Sequence, residues 1–392
     1  MNDTRSTLRA GAAAMLLVML LAGCDTIAPG TVDLAATAQA GAGAGAWGGP
    51  DTPPHAEVVM MSQNLYLGGD LNVVAAEPNP QMIPVRVAQL YGTIVASDPA
   101  ARMDAVAEEI ARVRPALVGL QEVSTFYVQA PGDNLPGGAG TPATDVTFDF
   151  LELLLDALAD DGLVYNVASR SDNADVELPA TTNGQTFFDV RYRDADVILA
   201  LDGPDVATGA SFDDEFKVLL TIPIGGAPVT FVRGYQWVEA TVDGLDFTFF
   251  NTHLETGAAP PIQIAQGDEL RALIDATAGP VVLAGDLNSD AGGGSTPTYA
   301  TLTQTLTDAI GRPPHFAAPT CCQAADLRNP ASQLTERIDF LLFRGFDRIR
   351  RTETLLDSPG DRVPTTGGMI WPSDHAGVAV ELVYNLRRRR PV

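Results

Sequence analysis

Cysteine, histidine and lysine are all scarce in this chain of 392 residues. Three cysteines cannot build a disulfide framework, and two of them, Cys321 and Cys322, are adjacent, which is not the spacing of a zinc site. Only four imidazoles are available for acid–base work: His55, His253, His315 and His375. Lys217 is the only lysine, and 24 basic residues face 49 acidic ones, for a formal charge of -25. Such a chain repels polyanions at long range unless its arginines gather locally, which disfavours a tight non-specific hold on nucleic acid. Hard oxygen ligands are plentiful, which favours a divalent-cation site, although solubility or adaptation to salt explains the same charge without one. With 46% hydrophobic residues the chain has ample material for a packed core.

The longest uninterrupted apolar run lies at the start. Arg5 and Arg9 precede residues 10–21, a stretch without charge that is too short to span a bilayer as a mature helix and reads as a signal peptide. Its ending, Leu21-Ala22-Gly23-Cys24, resembles a bacterial lipobox, which implies lipidation of Cys24 and cleavage before it. Residues 1–23 are therefore expected to be a lipoprotein signal peptide, and 24–55 a lipidated cysteine with an Ala/Gly/Pro-rich tether. A single domain over 56–386 and a basic tail over 387–392 follow. The expected location is the bacterial cell envelope, held to the membrane by the lipid anchor and facing periplasm or exterior; ordinary secretion is the alternative. The arginine tail reads as a solvated end, with attraction to anionic lipid as the other reading. Cys321 and Cys322 are left for a local structural role, as a vicinal disulfide or as two thiols.

From Ala56 onward, short apolar or alternating runs are bounded by Gly, Pro, Asp and Asn. VVMMSQN, PALVGLQ, VYNVAS, DVILAL, FKVLLTIPI, VTFVRGYQWVEATV, DFTFFNTHL, PVVLAGD, RIDFLLF and HAGVAVELVY each read as a strand. Residues 85–96, 101–114, 146–159, 262–277 and 298–310 carry apolar residues three or four apart and read as helices. Strands dominate without strict alternation, which suits an α/β protein of two packed sheets with helices on their outer faces. Two polar stretches, 130–145 and 171–186, read as long loops.

Six of the strand runs carry a polar residue at one end: MSQN at 61–64, LVGLQE at 117–122, NTHL at 251–254, GDLN at 285–288, RID at 337–339 and SDH at 373–375. A strand end sets its side chain at the rim of a rigid sheet, where a preorganised site is best supported. Singly, each is an ordinary turn or cap. Two of the four histidines at such ends, together with carboxylates and asparagines, make a stronger pattern.

In this order, Asn64, Gln121-Glu122, Asn251-Thr252-His253-Leu254, Gly285-Asp286-Leu287-Asn288, Arg337-Ile338-Asp339 and Ser373-Asp374-His375 resemble the motifs of the endonuclease/exonuclease/phosphatase superfamily. The resemblance spans residues 57–384. It implies a four-layered α/β sandwich, with two packed, mainly antiparallel (mixed) sheets flanked by helices and a site at one end of the sheets. It implies Mg²⁺, with Mn²⁺ or Ca²⁺ as alternatives, held by Glu122 with Asn64 and Asp374 beside it. His375 is then the general base and Asp339 fixes its tautomer. Asp286 and Asn288 orient water or a phosphate oxygen, while His253 donates to a non-bridging oxygen or protonates the leaving group. Asn251 secures its strand end, and Arg337 pairs with a carboxylate or binds phosphate. The Arg or Tyr that touches phosphate in this family falls on Arg191, Tyr192 or Arg193, without a choice among them.

The expected activity is metal-dependent hydrolysis of a phosphodiester by an extracytoplasmic, nuclease-like enzyme that acts as a monomer. The alternative is a phospholipid or sphingomyelin phosphodiesterase or a phosphoinositide-type phosphatase. A non-catalytic surface binding protein on the same scaffold is a remote third reading. A nuclease should carry a basic groove, and no Lys/Arg cluster outside the tail supplies one. A lipid enzyme should offer aromatic residues on a loop, for which Phe187-Phe188 is a candidate, although the pair reads more readily as a buried strand start.

Overall fold

The computed structural model describes residues 55–134, 140–224, 227–311 and 318–389. The expected signal peptide, Cys24, all of the tether but His55, and tail residues 390–392 lie outside the described residues. The first half of the chain supplies β1 (His55–Asn64), β2 (Leu117–Gln121), β3 (Thr125–Gln129), β4 (Val146–Asp149), β5 (Tyr165–Ala180) and β6 (Phe188–Leu201). Next come β7 (Val206–Glu215), a hairpin of β8 (Leu220–Ile224) and β9 (Ala227–Phe231), β10 (Gly234–Val242), β11 (Leu245–His253), β12 (Val281–Asp286), β13 (Thr307–Asp308) and β14 (Asp339–Arg344). The chain closes with β15 (Arg348–Leu355), a small hairpin of β16 (Val363–Thr365) and β17 (Gly368–Ile370), and β18 (Gly377–Asn385).

The first sheet runs β15-β18-β1-β2-β6-β3-β4, with β5 also paired to β6; the second runs β13-β14-β12-β11-β10-β7. In each sheet one central pair is parallel, β1 with β2 and β11 with β12, and the other pairings are antiparallel. Strand alternation sends Met60, Leu117 and Ile198 of the first sheet inward against Phe249, Val282, Ala284 and Leu341 of the second. Helices cover both outer faces. Helices α1 (Asn72–Ala75), α2 (Ile83–Ala96), α3 (Pro99–Val113) and α4 (Phe150–Asp160) lie on the first sheet, and α5 (Pro260–Ala276) and α6 (Thr298–Leu302) on the second. The result is the expected four-layered α/β sandwich of two mixed sheets. Among the described residues no helix is long and apolar enough to cross a membrane.

Local chemistry explains where the elements start and stop. Asp98 caps α3 by accepting from Ala101 N, with Pro99 in the first turn, and Met103, Val106 and Ile110 form its buried stripe. The expected helix over 146–159 begins only at Phe150. Asp149 accepts from Leu151 N and Glu152 N as an N-cap, while Val146 and Phe148 pair with β3. The expected helix over 298–310 ends at Leu302, because the Asp308 carboxylate is taken up by Tyr299 Oη (2.7 Å), Ile310 N (3.0 Å) and Arg337, and 307–308 joins β14. The 171–186 loop is also corrected: β5 runs to Ala180, paired with Phe188, and only 181–187 turns. Its polar outer face is held by cross-strand charge pairs such as Arg191–Asp175 (2.5 Å), so an alternating charged strand looked like a loop.

Candidate functional site

Strand register brings the polar strand ends together. In the second sheet His253 lies opposite Asp286 and Asp286 opposite Asp339, so three site residues stand in a row. In the first sheet Asn64 lies opposite Gln121, which precedes Glu122. Strand β18 pairs with β1 as far as Val378 opposite Ser62, so Asp374 and His375 lie just beyond the Asn64 end. Asn251 ties the sheets together at this depth. Its Oδ1 accepts from Gln121 Nε2 (2.7 Å) and its Nδ2 donates to Leu120 O (3.0 Å). The crossing requires glycine at 119, where a Cβ would sit 2.6 Å from Asn251 Oδ1.

The cluster so formed is dense in carboxylates. Asn64 Nδ2 donates to Glu122 Oε1 (3.2 Å) and to Asp286 Oδ2 (3.1 Å), bridging the two sheets. His253 Nε2 lies 3.4 Å from Asp286 Oδ2, and His375 Nδ1 lies 2.9 Å from Asp339 Oδ2. His375 Nε2 faces Asp374 Oδ1 at 3.8 Å and Cys322 Sγ at 3.9 Å. Ligand atoms of Asp286, Asp339 and His375 lie within 4.8 Å of one another and could hold a metal ion. Asn64, Glu122, His253, Asp286, Asp339, Asp374 and His375 are thus brought to one place. Asn288 joins them mainly through its backbone: its N–H donates to Asp286 Oδ1 (2.9 Å), while its side chain donates to Leu254 O (3.0 Å).

The hydrogen bonds fix protonation states. Arg233 Nη1 lies 2.8 Å from His253 Nδ1; a guanidinium can only donate, so Nδ1 accepts and Nε2 carries the proton toward Asp286. Burial, then the charges of Arg233 and His375, hold the His253 imidazole well below its ordinary range, so it is neutral. His375 is the opposite case. Burial works against its cation, yet Asp339, Asp374 and Asp286 together hold the imidazolium well above the usual range. Burial, reinforced by Asp339, pushes the Asp286 carboxyl up to about 7; burial also brings Asp374 to about 7, with Glu122 adding to the rise.

A buried scaffold holds the loops that carry these groups. Arg102, on α3, is fully buried. Its Nε donates to Pro372 O (2.8 Å), its Nη1 to Ser97 Oγ (3.2 Å), and its Nη2 to Leu65 O and to Tyr66 O (2.5 Å). The segment it grips supplies Tyr66 N to Asn64 Oδ1 (2.8 Å) and Leu67 N to Glu122 Oε2 (2.9 Å). Ser373 Oγ donates to Asn64 O (2.7 Å) and accepts from His375 N (3.1 Å). Glu122 and Asn288 both take left-handed backbone conformations, with φ of 54° and 47°. Non-glycine residues adopt these conformations at a cost, and they recur where a side chain must be aimed.

Three expected phosphate contacts part company on β6. Arg191 and Arg193 point to one face and are engaged by Asp175 and Asp172, whereas Tyr192 points to the other, stacks on Phe126 (5.2 Å) and lines a cavity with Glu122. Arg337 is buried between Asp308 (2.7 Å) and the rings of Tyr299 and Phe340, away from the cluster. Cys321 and Cys322 are bonded to each other and border His375, closer to the chemistry than the expected structural role implied. Sequence reasoning missed Arg233 and Arg102. Arg233 left a signal, a single cation inside the apolar run VTFVRGYQW where β9 breaks from β10; Arg102 left none, because a helical arginine ordinarily faces water.

Comparison with known proteins agrees with this geometry. Residues 90–375 match the model of the Endonuclease/Exonuclease/phosphatase family. A solved structure of a protein of that family from Bacteroides thetaiotaomicron is similar in fold, with a TM-score of 0.51 and 16% identity over 87% of this chain and 100% of that chain. A mannosyl-6-phosphatase from the same organism follows at a TM-score of 0.47 and 16% identity, covering 83% of this chain and 100% of that chain. Truncated TDP2 of Caenorhabditis elegans follows at 0.45 and 18%, covering 83% and 97%. No curated protein matches the chain. With nearly three quarters of its length matched and its strand ends gathered as described, the chain belongs to the endonuclease/exonuclease/phosphatase family.

Proposed function

We propose that this protein hydrolyses a phosphodiester with a water activated by His375 and a divalent cation, Mg²⁺ before Mn²⁺ or Ca²⁺. The observation that carries the reading is the convergence of six strand ends on one carboxylate-rich, imidazole-bearing pocket. The residues present suit a hard cation. Asp374 Oδ1 is buried without a hydrogen-bond partner, as is Asp339 Oδ1, and clustered acids with raised pKa call for positive charge. Glu122 and Asp374 would hold the ion, with Asn64 beside them; Asn64 turns its amide nitrogen to the carboxylates, which suits bridging better than ligation. Bound there, the cation would polarise a phosphoryl oxygen and ease departure of the leaving oxygen.

The chain's own groups do the rest. Asp339 accepts the Nδ1 hydrogen of His375, so Nε2, on the Asp374 side, is the nitrogen that would meet the water. Once the charge of Asp374 is compensated, the imidazolium loses part of what stabilises it and Nε2 can accept a proton from water. The water oxygen bonds to phosphorus, the P–O ester bond breaks, and the departing alkoxide takes a proton from solvent water, while neutral His253 is placed to donate its Nε2 hydrogen bond to a non-bridging oxygen. Asp286, fixed by Asn288 N and Asn64 Nδ2, orients the water. Among the expected phosphate contacts, Tyr192 is the one on the Glu122 side.

Lipidation at Cys24 and retention in the cell envelope are part of the same proposal, resting on the Leu-Ala-Gly-Cys ending. Cys24→Ser is expected to move the protein from the membrane to the soluble fraction. The catalytic reading is tested with bis(p-nitrophenyl) phosphate, plasmid DNA, RNA, sphingomyelin and phosphoinositides, each with Mg²⁺ and with chelator. Turnover of at least one diester that stops on chelation and returns on adding metal is expected. Turnover indifferent to chelation, or of no phosphoester at all, would overturn the reading.

A further inference from the structure

A cavity of about 150 Å³ adjoins Glu122 on the first-sheet side of the site. Leu71 from the turn after β1, Leu90 and Ile94 of α2, Val176 of β5 and Val190 of β6 line it, and Glu122 and Arg233 stand among its walls. Aliphatic pockets of this size stay dry and take up small apolar molecules. The arginines nearest the β5–β6 tip, Arg191 and Arg193, are already paired with Asp175 and Asp172, and Arg233 is engaged by His253, so each of these arginines already has a partner and none is given over to a polyanion. A phosphate held through the cation proposed at Glu122 would leave its apolar arm facing the aliphatic walls of the cavity.

We infer that this cavity receives an apolar chain, alkyl or acyl, carried by the substrate's phosphate group. The inference rests on the phosphodiesterase reading and names the substrate class within it: amphipathic phosphodiesters rather than polynucleotides. The chain lies along α2 and β5 while phosphorus sits at the Glu122 end.

The test uses p-nitrophenyl alkyl phosphates with methyl, butyl and octyl groups, in the presence of Mg²⁺. Water adds to phosphorus, p-nitrophenolate leaves, and the alkyl phosphate remains. The ratio kcat/KM is expected to rise about three- to fourfold per methylene until the cavity is filled. Ala174→Trp and Val176→Trp, which fill the cavity from β5, are expected to flatten that rise while leaving the methyl ester unaffected. In parallel, octyl phosphate is expected to bind more tightly than methyl phosphate by calorimetry, with a negative heat-capacity change. A methyl ester turned over as well as the octyl ester would overturn the chain assignment and leave the phosphodiesterase reading standing. So would equal binding of the two phosphates. Failure to hydrolyse any ester would overturn both.

Discussion

Replacing Arg102 by methionine removes the guanidinium that ties α3 to the two segments bearing Asn64 and Asp374-His375. Methionine retains the aliphatic stem but not the guanidinium head, so a small cavity adds to a loss that falls mainly on hydrogen bonds. Carbonyls of Leu65, Tyr66 and Pro372 lose a buried donor. Each buried acceptor left without a partner costs about 1–3 kcal/mol. Removing a buried cation's desolvation cost offsets part of this; burial already lowers the Arg102 pKa to about 10. The net loss is expected at about 3–5 kcal/mol, in line with breaking one partner of a buried charged network. In urea this corresponds to a fall in midpoint of roughly 1–2 M for a slope near 3 kcal/mol/M. Metal affinity should fall as well, because Leu67 N, which orients Glu122, hangs on the same segment. A midpoint that moves by less than roughly a tenth of that, with metal binding intact, would refute the assigned role of Arg102.

Proton and metal linkage gives a second expectation. In the metal-free protein Asp286 and Asp374 have carboxyls raised to about 7, so folding takes up protons that the unfolded chain does not hold. Their contribution to stability is full below about pH 4 and is lost as pH rises through about 7. Mg²⁺ should therefore raise the melting temperature more at about pH 8 than at about pH 5, which a thermal-shift series reads directly. A third concerns Asp339→Asn, which keeps the shape at His375 Nδ1 but removes charge. kcat on bis(p-nitrophenyl) phosphate should fall by about a hundredfold or more. The acid limb of the pH–rate profile should move to lower pH, since less negative charge holds the imidazolium; a purely structural role would leave that limb in place.

Much of the fold was legible because buried strands carry their own signature. VVMMSQN, PVVLAGD and RIDFLLF are apolar runs with polar residues at one end, and β1, β12 and β14 fall on them. Edge strands were not legible. β7 (VATGASFDDE) and β15 (RIRRTETL) face water along most of their length, so their composition is that of loops, and only pairing to β10 and β18 makes them strands. For the site, the sequence order of motifs identified which side chains matter, while register decided which of them meet. His253, Asp286 and Asp339 stand in line because three strands pair at those residues. Arg233 went unrecognised because its partner, His253, is reached across β10 and β11 rather than along the chain. The choice among Arg191, Tyr192 and Arg193 needed the strand's two faces, which alternation alone separates only once one face is known.

His375→Ala offers the most direct test. Secondary structure and metal binding should survive, since the ring makes no backbone hydrogen bond that the fold depends on and Glu122 is untouched. With Mg²⁺ present, the rate on bis(p-nitrophenyl) phosphate is expected to fall by about 10²–10⁴-fold, the range that a positioned general base supplies. Hydrolysis by the variant at the wild-type rate, dependent on the same metal, would contradict the assignment of His375 as the group that activates water.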